Sequence, residues 1–415
     1  MTDKTASGLS IKQNMLWNMM GSAIGLACQW IISILVVRLA SDMASAGIYS
    51  LAMSVYAIFS PIANFGLYTY IITEMEDRFS IGEYVTLCSL TSSATILVTT
   101  AYAMFTCRSN AWAPIAIYAI YKGIATVLDI LHAADQKAHR MDFIGISLAA
   151  QGILSLLGFI AFFLITDNLT ITIGVMALLT LAVGLLYDLP KARSLYEIKF
   201  GITKKKALAI LSGCTLIVVA NMANGAFASL PRQSLSTIMG DSALGIYASV
   251  ATPVAIIQVG ATYIYNPLIG YFAEAFHQKD KRTFAKYGVV TIGGITLVGI
   301  MAIFGGLLLG RPVLNLLYGS TVASYSHLLT PLIVSSIFLG IAGFLSQLLV
   351  AVRSLRLMLI GGVAALIVSL VSSHPLVIAL GMNGATLALI LATLASIAIS
   401  LIGIAIQTRE QFKRR

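Results

Sequence analysis

The sequence predicts an all-α polytopic membrane protein, with about 12 transmembrane helices in two pseudo-symmetric six-helix bundles around a central cleft. Three observations predict it: the composition, the length of the apolar runs and the placement of the basic residues. Of 415 residues, 58% are hydrophobic and only 10% are Asp, Glu, Lys or Arg, whereas a soluble domain carries about 25% charged residues. The apolar runs are continuous and do not alternate, which excludes an ordinary soluble enzyme and speaks against an outer-membrane β-barrel.

The predicted spans follow from cutting the chain at its charges, because a helix needs about 20 apolar residues to cross the hydrocarbon core. The twelve candidates are 14–37, 46–70, 84–106, 111–131, 143–166, 168–188, 207–230, 243–270, 287–309, 327–352, 357–377 and 382–406. The run from Leu357 to Thr408 contains no Asp, Glu, Lys or Arg, so it must hold two spans. We expect the turn between them at Ser372-Ser373-His374-Pro375.

The basic residues predict the orientation. Of the 26 Lys and Arg residues, 21 fall on one side of the twelve-span arrangement and Lys122 falls inside a span. The other four, on the opposite side, are Arg38, Arg108, Arg232 and Arg311. Cytoplasmic loops are enriched in Lys and Arg, so both termini are expected in the cytoplasm. The net charge of +10 therefore reflects orientation in a lipid bilayer, and no nucleic-acid partner is expected.

A local repeat divides the chain into an N-terminal six-helix bundle, 1–200, and a C-terminal six-helix bundle, 201–415. Gly47-Ile48-Tyr49 opens the second span and Gly245-Ile246-Tyr247 opens the eighth, 198 residues later. Each half has an even number of spans, so the halves share one orientation. Parallel repeats of this kind are related by an axis along the membrane normal, and rocking of one bundle against the other gives alternating access to a central cleft.

Polar side chains recur on one face of the fourth span. Tyr118, Lys122, Ala125, Asp129 and His132 follow at steps of four, three, four and three residues. A charge inside a bilayer costs about 2.5–3.5 kcal/mol on insertion scales, so Lys122 at mid-span needs a reason. Two explanations stay open: Lys122 faces a wet cavity and an anionic ligand, or it pairs structurally with Asp129 or a neighbouring helix. Asp129 and His132, near the cytoplasmic interface, are candidates for ion coupling, although a structural pair is favoured.

Amides line the first and seventh spans. Asn14, Asn18 and Gln29 share one side of span one with small residues, and Asn221 and Asn224 lie in span seven. Such amides could hydrogen-bond sugar hydroxyls in a cleft without adding charge. Close helix packing is the alternative, because small and polar residues join helices in lipid.

Arg38 and Arg232 occupy matching outer ends of the two halves. Arginine binds phosphate oxygens in a bidentate manner, and an interfacial anchor is the equally common alternative. Tyr49, Tyr56, Tyr247 and Tyr263 could stack on sugar rings, but we expect them in interfacial belts.

No motif for chemistry accompanies these spans. A phosphate-binding Gly-rich loop ending in Lys-Ser/Thr, HExxH and Gly-x-Ser-x-Gly are all absent from the sequence. The four cysteines show no CxxC spacing, which argues against a metal site or a disulfide framework. We therefore expect no catalytic residue, no metal and no cofactor.

The motifs resemble those of one family. Arg38-Leu39, Ala46-Gly47-Ile48-Tyr49-Ser50 and Phe65-Gly66-Leu67, with Leu230-Pro231-Arg232 and Leu244-Gly245-Ile246-Tyr247 in the second half, look like the polysaccharide-biosynthesis flippases. These are the O-antigen and exopolysaccharide repeat-unit translocases of the multidrug/oligosaccharidyl-lipid/polysaccharide exporter superfamily. The resemblance implies a protein of the bacterial cytoplasmic (inner) membrane that moves an undecaprenyl-diphosphate-linked oligosaccharide to the outer leaflet. Glycosyltransferases and a polymerase of the same pathway would be its partners, and Arg38, Lys122 and Arg232 would bind the diphosphate in a cationic cleft.

Two other functions are alternatives. Multidrug or cation antiporters of the same superfamily tend to need carboxylates in the first or seventh span, and 14–37 and 207–230 contain none. A membrane-embedded glycosyltransferase or polymerase acting on lipid-linked sugars generally needs a sizeable outer loop with acidic, arginine or histidine residues. The outer loops expected here are short.

Overall fold

The computed structural model describes residues 9–73, 78–352 and 354–413, and within these ranges the chain contains helices and no strand. Twelve helical segments of the described chain are long and apolar enough to cross a membrane, which confirms the predicted number of spans. They are Lys12–Leu39, Met43–Ile72, Ile81–Thr106, Ser109–Lys137, Met141–Thr166, Leu169–Leu195, Lys204–Met239, Asp241–Tyr265, Lys281–Tyr318, Ser326–Ala351, Leu355–Leu380 and Met382–Arg409.

The chain forms two compact units. Unit 1 contains the chain up to Ser41 together with Val55–Val218, and unit 2 contains Asp42–Ser54 together with Val219 onward. Helices α2 (Met43–Asn64) and α9 (Lys204–Met239) therefore contribute to both units. The division into halves at residues 200 and 201, which follows the repeat, has different borders and stays a prediction.

The remaining helices of unit 1 are α1 (Ile11–Leu39), α3 (Leu67–Thr73), α4 (Ile81–Thr106), α5 (Ser109–Lys137), α6 (Met141–Thr166), α7 (Leu169–Val183) and α8 (Leu189–Leu195). A short π-helix, Gly184–Asp188, joins α7 to α8. Helices α4 and α1 each begin with a capping box, at Ser80 with Glu83 and at Ser10 with Gln13, which satisfies backbone N–H groups at the helix start.

Helices α1 and α6 cross closely because glycines face each other. A Cβ added at Gly152 would lie 2.9 Å from the Cα of Gly25, and one added at Gly145 would meet the backbone of Trp17. Close approach through small residues is the usual way in which helices associate in lipid, where dispersion contacts replace the hydrophobic effect. Gly25, a small residue of α1, therefore serves helix packing.

Beyond its share of α2 and α9, unit 2 contains α10 (Asp241–Tyr265), α11 (Ile269–His277), α12 (Lys281–Tyr318), α13 (Ser320–Ala323), α14 (Leu329–Ala351), α15 (Leu355–Leu380) and α16 (Met382–Lys413). One apolar cluster is centred on Phe272, which is fully buried against the rings of Phe284 and Phe344 at centroid distances of 5.4 Å. These contacts join α11, α12 and α14.

The turn expected at Ser372-Ser373-His374-Pro375 is wrong. Helix α15 continues through these residues to Leu380, and the chain reverses at Gly381, whose φ is +58°. Glycine adopts positive φ without steric cost. Helix α16 then packs directly on α15, because a Cβ at Gly384 would meet the backbone of Leu376.

The two Gly-Ile-Tyr copies meet in unit 2. A Cβ at Gly245 would lie 3.0 Å from the backbone nitrogen of Gly47, and a Cβ at Gly47 would meet the backbone of Asp241. Each glycine therefore permits a backbone-to-backbone approach of α2 and α10 that a larger residue would prevent. The two copies of the sequence repeat therefore pack against each other.

Candidate substrate site

Lys122 lies in the middle of α5, within the span Ser109–Lys137, and is half-buried. Its Nζ is 5.1 Å from the ring centroid of Tyr121 and 5.9 Å from that of Tyr118. An ammonium group within about 6 Å of an aromatic face is stabilised by the ring quadrupole. The two rings therefore stabilise the ammonium group of Lys122 within the span.

The aromatic surroundings of Lys122 extend to α2. Tyr118 meets Tyr56 and Tyr121 edge to face, at centroid distances of 6.1 and 6.0 Å. The Tyr56 hydroxyl lies 3.4 Å from Thr126 Oγ1, and Thr126 donates to the Lys122 carbonyl at 2.9 Å. These contacts position the Lys122 face by hydrogen bonds and ring packing within unit 1.

Lys122 and Asp129 make no ion pair in the described chain. Asp129 Oδ1 lies instead 3.6 Å from Nδ1 of His132, one turn further along α5. Residues seven apart on a helix are about 10 Å apart, so the structure does not contain the direct Lys122–Asp129 pair, which was one form of the second explanation.

His132 belongs to a polar cluster that joins α5, α6 and the π-helix. Its Nε2 is 3.1 Å from Ser147 Oγ and 3.6 Å from Asp188 Oδ1. Ser147 donates to Asp188 Oδ2 at 2.9 Å and accepts from Gln151 Nε2 at 2.9 Å. His132 and Asp188 are 2% and 1% exposed, so the cluster is a buried network within unit 1.

Two aspartates of this region were not identified from the sequence. Asp135 is fully buried at the end of α5, beyond the predicted limit of span four at residue 131. Asp188 ends the π-helix, where a single extra residue per turn changes the direction of the side chain. The step of three residues from His132 to Asp135 could have indicated the first; a π-helix gives no comparable sequence signal.

The span-one amides have different surroundings. Asn14 is buried and its side chain is engaged by backbone: its Nδ2 donates to the Leu9 carbonyl at 3.0 Å, and its Oδ1 accepts from Met141 N–H at 2.8 Å. It thereby connects the beginnings of α1 and α6. Asn18 and Gln29 are half-buried.

The predicted residues of unit 2 lie on α9, which continues through Pro231 to Met239. Arg232 is half-buried on this helix, within electrostatic range of Tyr247. Asn224 lies against α15, because a Cβ at Gly362 would be 3.2 Å from its Oδ1, and Asn221 is exposed. Arg38 is exposed in the last turn of α1, in unit 1.

The expectation of an interfacial tyrosine belt is wrong for three of its four residues. Tyr49, Tyr56 and Tyr247 are between 2% and 7% exposed, whereas Tyr263 is 72% exposed. Tyr247 is buried because its hydroxyl pairs with Thr386 at 3.1 Å, as that of Tyr56 does with Thr126.

An ion pair lies close to the end of α5. Arg140, between α5 and α6, makes two hydrogen bonds to Asp142, at 2.9 and 2.7 Å. The hydrogen bonds to this carboxylate raise the pKa of Arg140 above its ordinary value, so the guanidinium stays charged. Across the described residues, no group of three or more His, Cys, Asp and Glu side chains has the arrangement of a metal site.

The fold is that of known transporters. The chain superposes on the lipid II flippase MurJ in its inward closed conformation with a TM-score of 0.71 and 11% identity, over 97% of this chain and 90% of that one. It superposes on a multidrug resistance MATE family transporter of the MOP superfamily with a TM-score of 0.68 and 11% identity, over 96% and 100% of the two chains. The chain has the fold of the MOP superfamily.

One curated protein similar to this MOP-fold chain is the capsular polysaccharide biosynthesis protein CapF of Staphylococcus aureus. It is 24% identical over 346 residues, which cover 79% of this chain and 84% of that protein. No protein-family model matches the sequence. The solved structures that this chain resembles are those of transporters and of a flippase, not of enzymes.

Proposed function

We propose that this protein flips a lipid-diphosphate-linked oligosaccharide, a polysaccharide repeat unit on undecaprenyl diphosphate, from the cytoplasmic to the outer leaflet by alternating access. Three facts support the proposal together: the MOP fold, a flippase of a lipid-linked precursor among the neighbours, and similarity to a capsular polysaccharide biosynthesis protein. The observation that carries it is Lys122, a cation in the middle of an apolar span beside two tyrosine rings.

Lys122 suits a lipid diphosphate because the diphosphate is anionic and the ammonium group is a cation. An ammonium held by aromatic faces attracts phosphate oxygens, and tyrosine rings and hydroxyls accommodate sugar. In this proposal Lys122, Arg38 and Arg232 bind the diphosphate, and Asn18, Gln29, Asn221 and Asn224 line the path of the sugars. Asn14 is assigned to the α1–α6 connection instead.

The setting of the proposed transport is the bacterial cytoplasmic membrane, with both termini in the cytoplasm. The two halves, 1–200 and 201–415, rock against each other, so that the headgroup crosses while the prenyl chain stays in the bilayer. Glycosyltransferases complete the substrate before it is flipped, and a polymerase uses it afterwards.

Deletion of the gene tests the proposal. We expect complete lipid-linked repeat units to accumulate on the cytoplasmic side, measured by extraction of the lipid-linked intermediates and mass spectrometry. Accumulation of truncated units would instead indicate a glycosyltransferase, and an unchanged lipid pool with increased drug sensitivity would indicate the antiporter. Helices α1 and α9 contain no carboxylate, which disfavours the antiporter.

Lys122→Ala tests the site. We expect it to reproduce the deletion, with normal protein levels in the membrane, because the cation that attracts the diphosphate is lost. Lys122→Arg retains the charge and should restore part of the flux. Lys12→Ala, an exposed lysine on α1, is the matched control and should be neutral. Wild-type amounts of surface polysaccharide in Lys122→Ala would show that Lys122 does not bind substrate.

A further inference from the structure

Three carboxyl groups lie near the end of α5, and the proposed substrate site uses none of them. Asp129, Asp135 and Asp188 lie around one histidine, His132; these four residues are called here the His132 cluster. Lys122 is ten residues away on the same helix and makes none of these contacts. The cluster therefore needs an explanation of its own.

The hydrogen bonds of Ser147 show which ring nitrogen of His132 carries a hydrogen. A hydroxyl carries one proton, and Ser147 donates it to Asp188 Oδ2. Ser147 Oγ must then accept from His132 Nε2, which consequently carries a hydrogen. Nδ1 faces the Asp129 carboxylate at 3.6 Å, which favours a hydrogen there also. His132 therefore lies between two carboxylates, those of Asp129 and Asp188, which favour its imidazolium form.

Asp135 has no such compensation. Its exposure is 0%, and neither carboxylate oxygen accepts a hydrogen bond from any residue that the structure describes. It lies in the last turn of α5, whose carbonyl groups form the negative end of the helix dipole. A second carboxyl group, that of Asp188, lies within electrostatic range. An ionised carboxylate in this position is unfavourable, because burial of a charge requires a partner.

The charged and titratable groups around Asp135 come from every neighbouring element, and the available cations are already engaged. Arg140 is paired with Asp142, and Lys191 lies over the rings of Phe143 and Tyr187. The groups that act electrostatically on Asp135 are His132 on α5, Arg140 and Asp142 at the start of α6, and Tyr187 and Asp188 on the π-helix. Further out, Lys191 on α8 lies over Tyr187, and Asp129 on α5 lies near Tyr68 on α3 and Cys88 on α4.

We propose that Asp135, together with the His132–Asp188 pair, is a proton-binding site in unit 1. At neutral pH the Asp135 carboxyl carries the proton and is neutral. When the end of α5 opens to water, the O–H bond breaks, the proton passes to water, and the carboxylate that remains is stabilised by solvent and by the His132 imidazolium. Reburial of Asp135 requires that a proton be taken up again.

The π-helix supplies the element that could open. Gly184 at its start packs on Leu128 of α5, and Asp188 at its end holds Ser147 and His132. π-Helical segments interrupt regular α-helical hydrogen bonding and often occur at functional sites. Movement of this segment would change the contacts of Asp188 with Ser147 and His132, and with them the electrostatic surroundings of Asp135.

Infrared spectroscopy of the purified protein in lipid nanodiscs tests the proton site without a transport assay. We expect a protonated carboxyl band at neutral pH that is lost on alkaline titration, is shifted by ¹³C-aspartate labelling, and is absent from Asp135→Asn. Asp167→Asn is the matched control: this residue caps α6 outside the cluster with φ +43°, which asparagine tolerates, so its spectrum should equal that of the wild type.

The absence of a protonated aspartate band from the wild type, or its persistence in Asp135→Asn, would overturn the proposal. If Asp135→Asn does not fold, Asp129→Asn and Asp188→Asn decide in the labelled protein: the aspartate band must persist in both variants and must disappear as the pH rises. His132→Gln should raise the pH at which this band is lost, because it removes the neighbouring group that favours the carboxylate; a shift to lower pH would contradict the proposed cluster.

Coupling of this proton to transport rests on the proposed flippase function and is tested separately. In proteoliposomes containing lipid-linked oligosaccharide, an imposed pH gradient should accelerate flipping severalfold in the wild type and in Asp167→Asn, and should have no effect in Asp135→Asn. Equal flipping with and without the gradient in the wild type would disprove the coupling. No flipping under either condition would contradict the proposed function and leave the infrared result in place.

Discussion

At the scale of single residues, the position of the Lys122 ammonium depends on its two rings. Tyr121 is the nearer, at 5.1 Å, and a cation–π contact contributes about 0.5–2 kcal/mol. We expect Tyr121→Leu to reduce the flipping rate severalfold at low substrate concentration, because the ammonium loses the face that orients it. Tyr121→Phe retains the ring and should be close to the wild type. Equal loss in both variants would show that the hydroxyl, not the ring, is what matters.

The residues themselves explain how much of the site the sequence could predict. A step of four residues places Tyr118 and Lys122 on one face of any helix, so the cation with its aromatic neighbour follows from periodicity. The partner of Asp129 does not follow from periodicity. Lys122, seven residues before it, and His132, three residues after it, lie on the same face, and only the packing of the side chains selects between them. Asp188 is beyond prediction for another reason: its side chain reaches Ser147 through a π-helical turn, and periodicity assumes a regular helix.

At the scale of elements, glycines determine which helices come together. Gly145 of α6 lies on the backbone of Trp17 in α1, whereas Gly288 of α12 has nothing within 4 Å of an added Cβ. We expect Gly145→Ala to destabilise the protein by about 1–3 kcal/mol, as overpacking does. Gly288→Ala should be neutral or stabilising by up to about 1 kcal/mol, because alanine favours the helix. Thermal unfolding in detergent measures both, and equal melting temperatures for the two variants would contradict the close crossing of α1 and α6.

Element boundaries show where composition is insufficient. The charge-free stretch after Leu357 had to contain two helices, and it does, but the reversal occurs at Gly381 and not at Pro375. A proline within a helix costs one hydrogen bond and bends it, whereas glycine alone permits the positive φ that a tight reversal needs. In a long apolar run the position of the reversal depends on which glycine adopts positive φ. Here that glycine is Gly381, and its conformation depends on the packing of α16 against α15.

At the scale of the whole molecule, the orientation of the chain follows from one long helix. Helix α12 has 38 residues, which is about 57 Å at 1.5 Å per residue, and the hydrocarbon core is about 30 Å thick. Its two ends must therefore emerge on opposite sides. The excess of Lys and Arg around its start, at Lys279, Lys281 and Arg282, predicts that this end is cytoplasmic.

Cysteine labelling on either side of α12 tests that orientation. In a variant without the four native cysteines, Ser324→Cys, beyond the end of the helix, should react with a membrane-impermeant maleimide in intact cells. Gln278→Cys, before its start, should react only after permeabilisation, because both residues are exposed and only the membrane separates them. The reverse pattern would place both termini outside the cell. Lys12 and the other basic residues assigned to the same side would then face outward, and the Asp135 proton site would open to the periplasm or cell exterior instead of the cytoplasm.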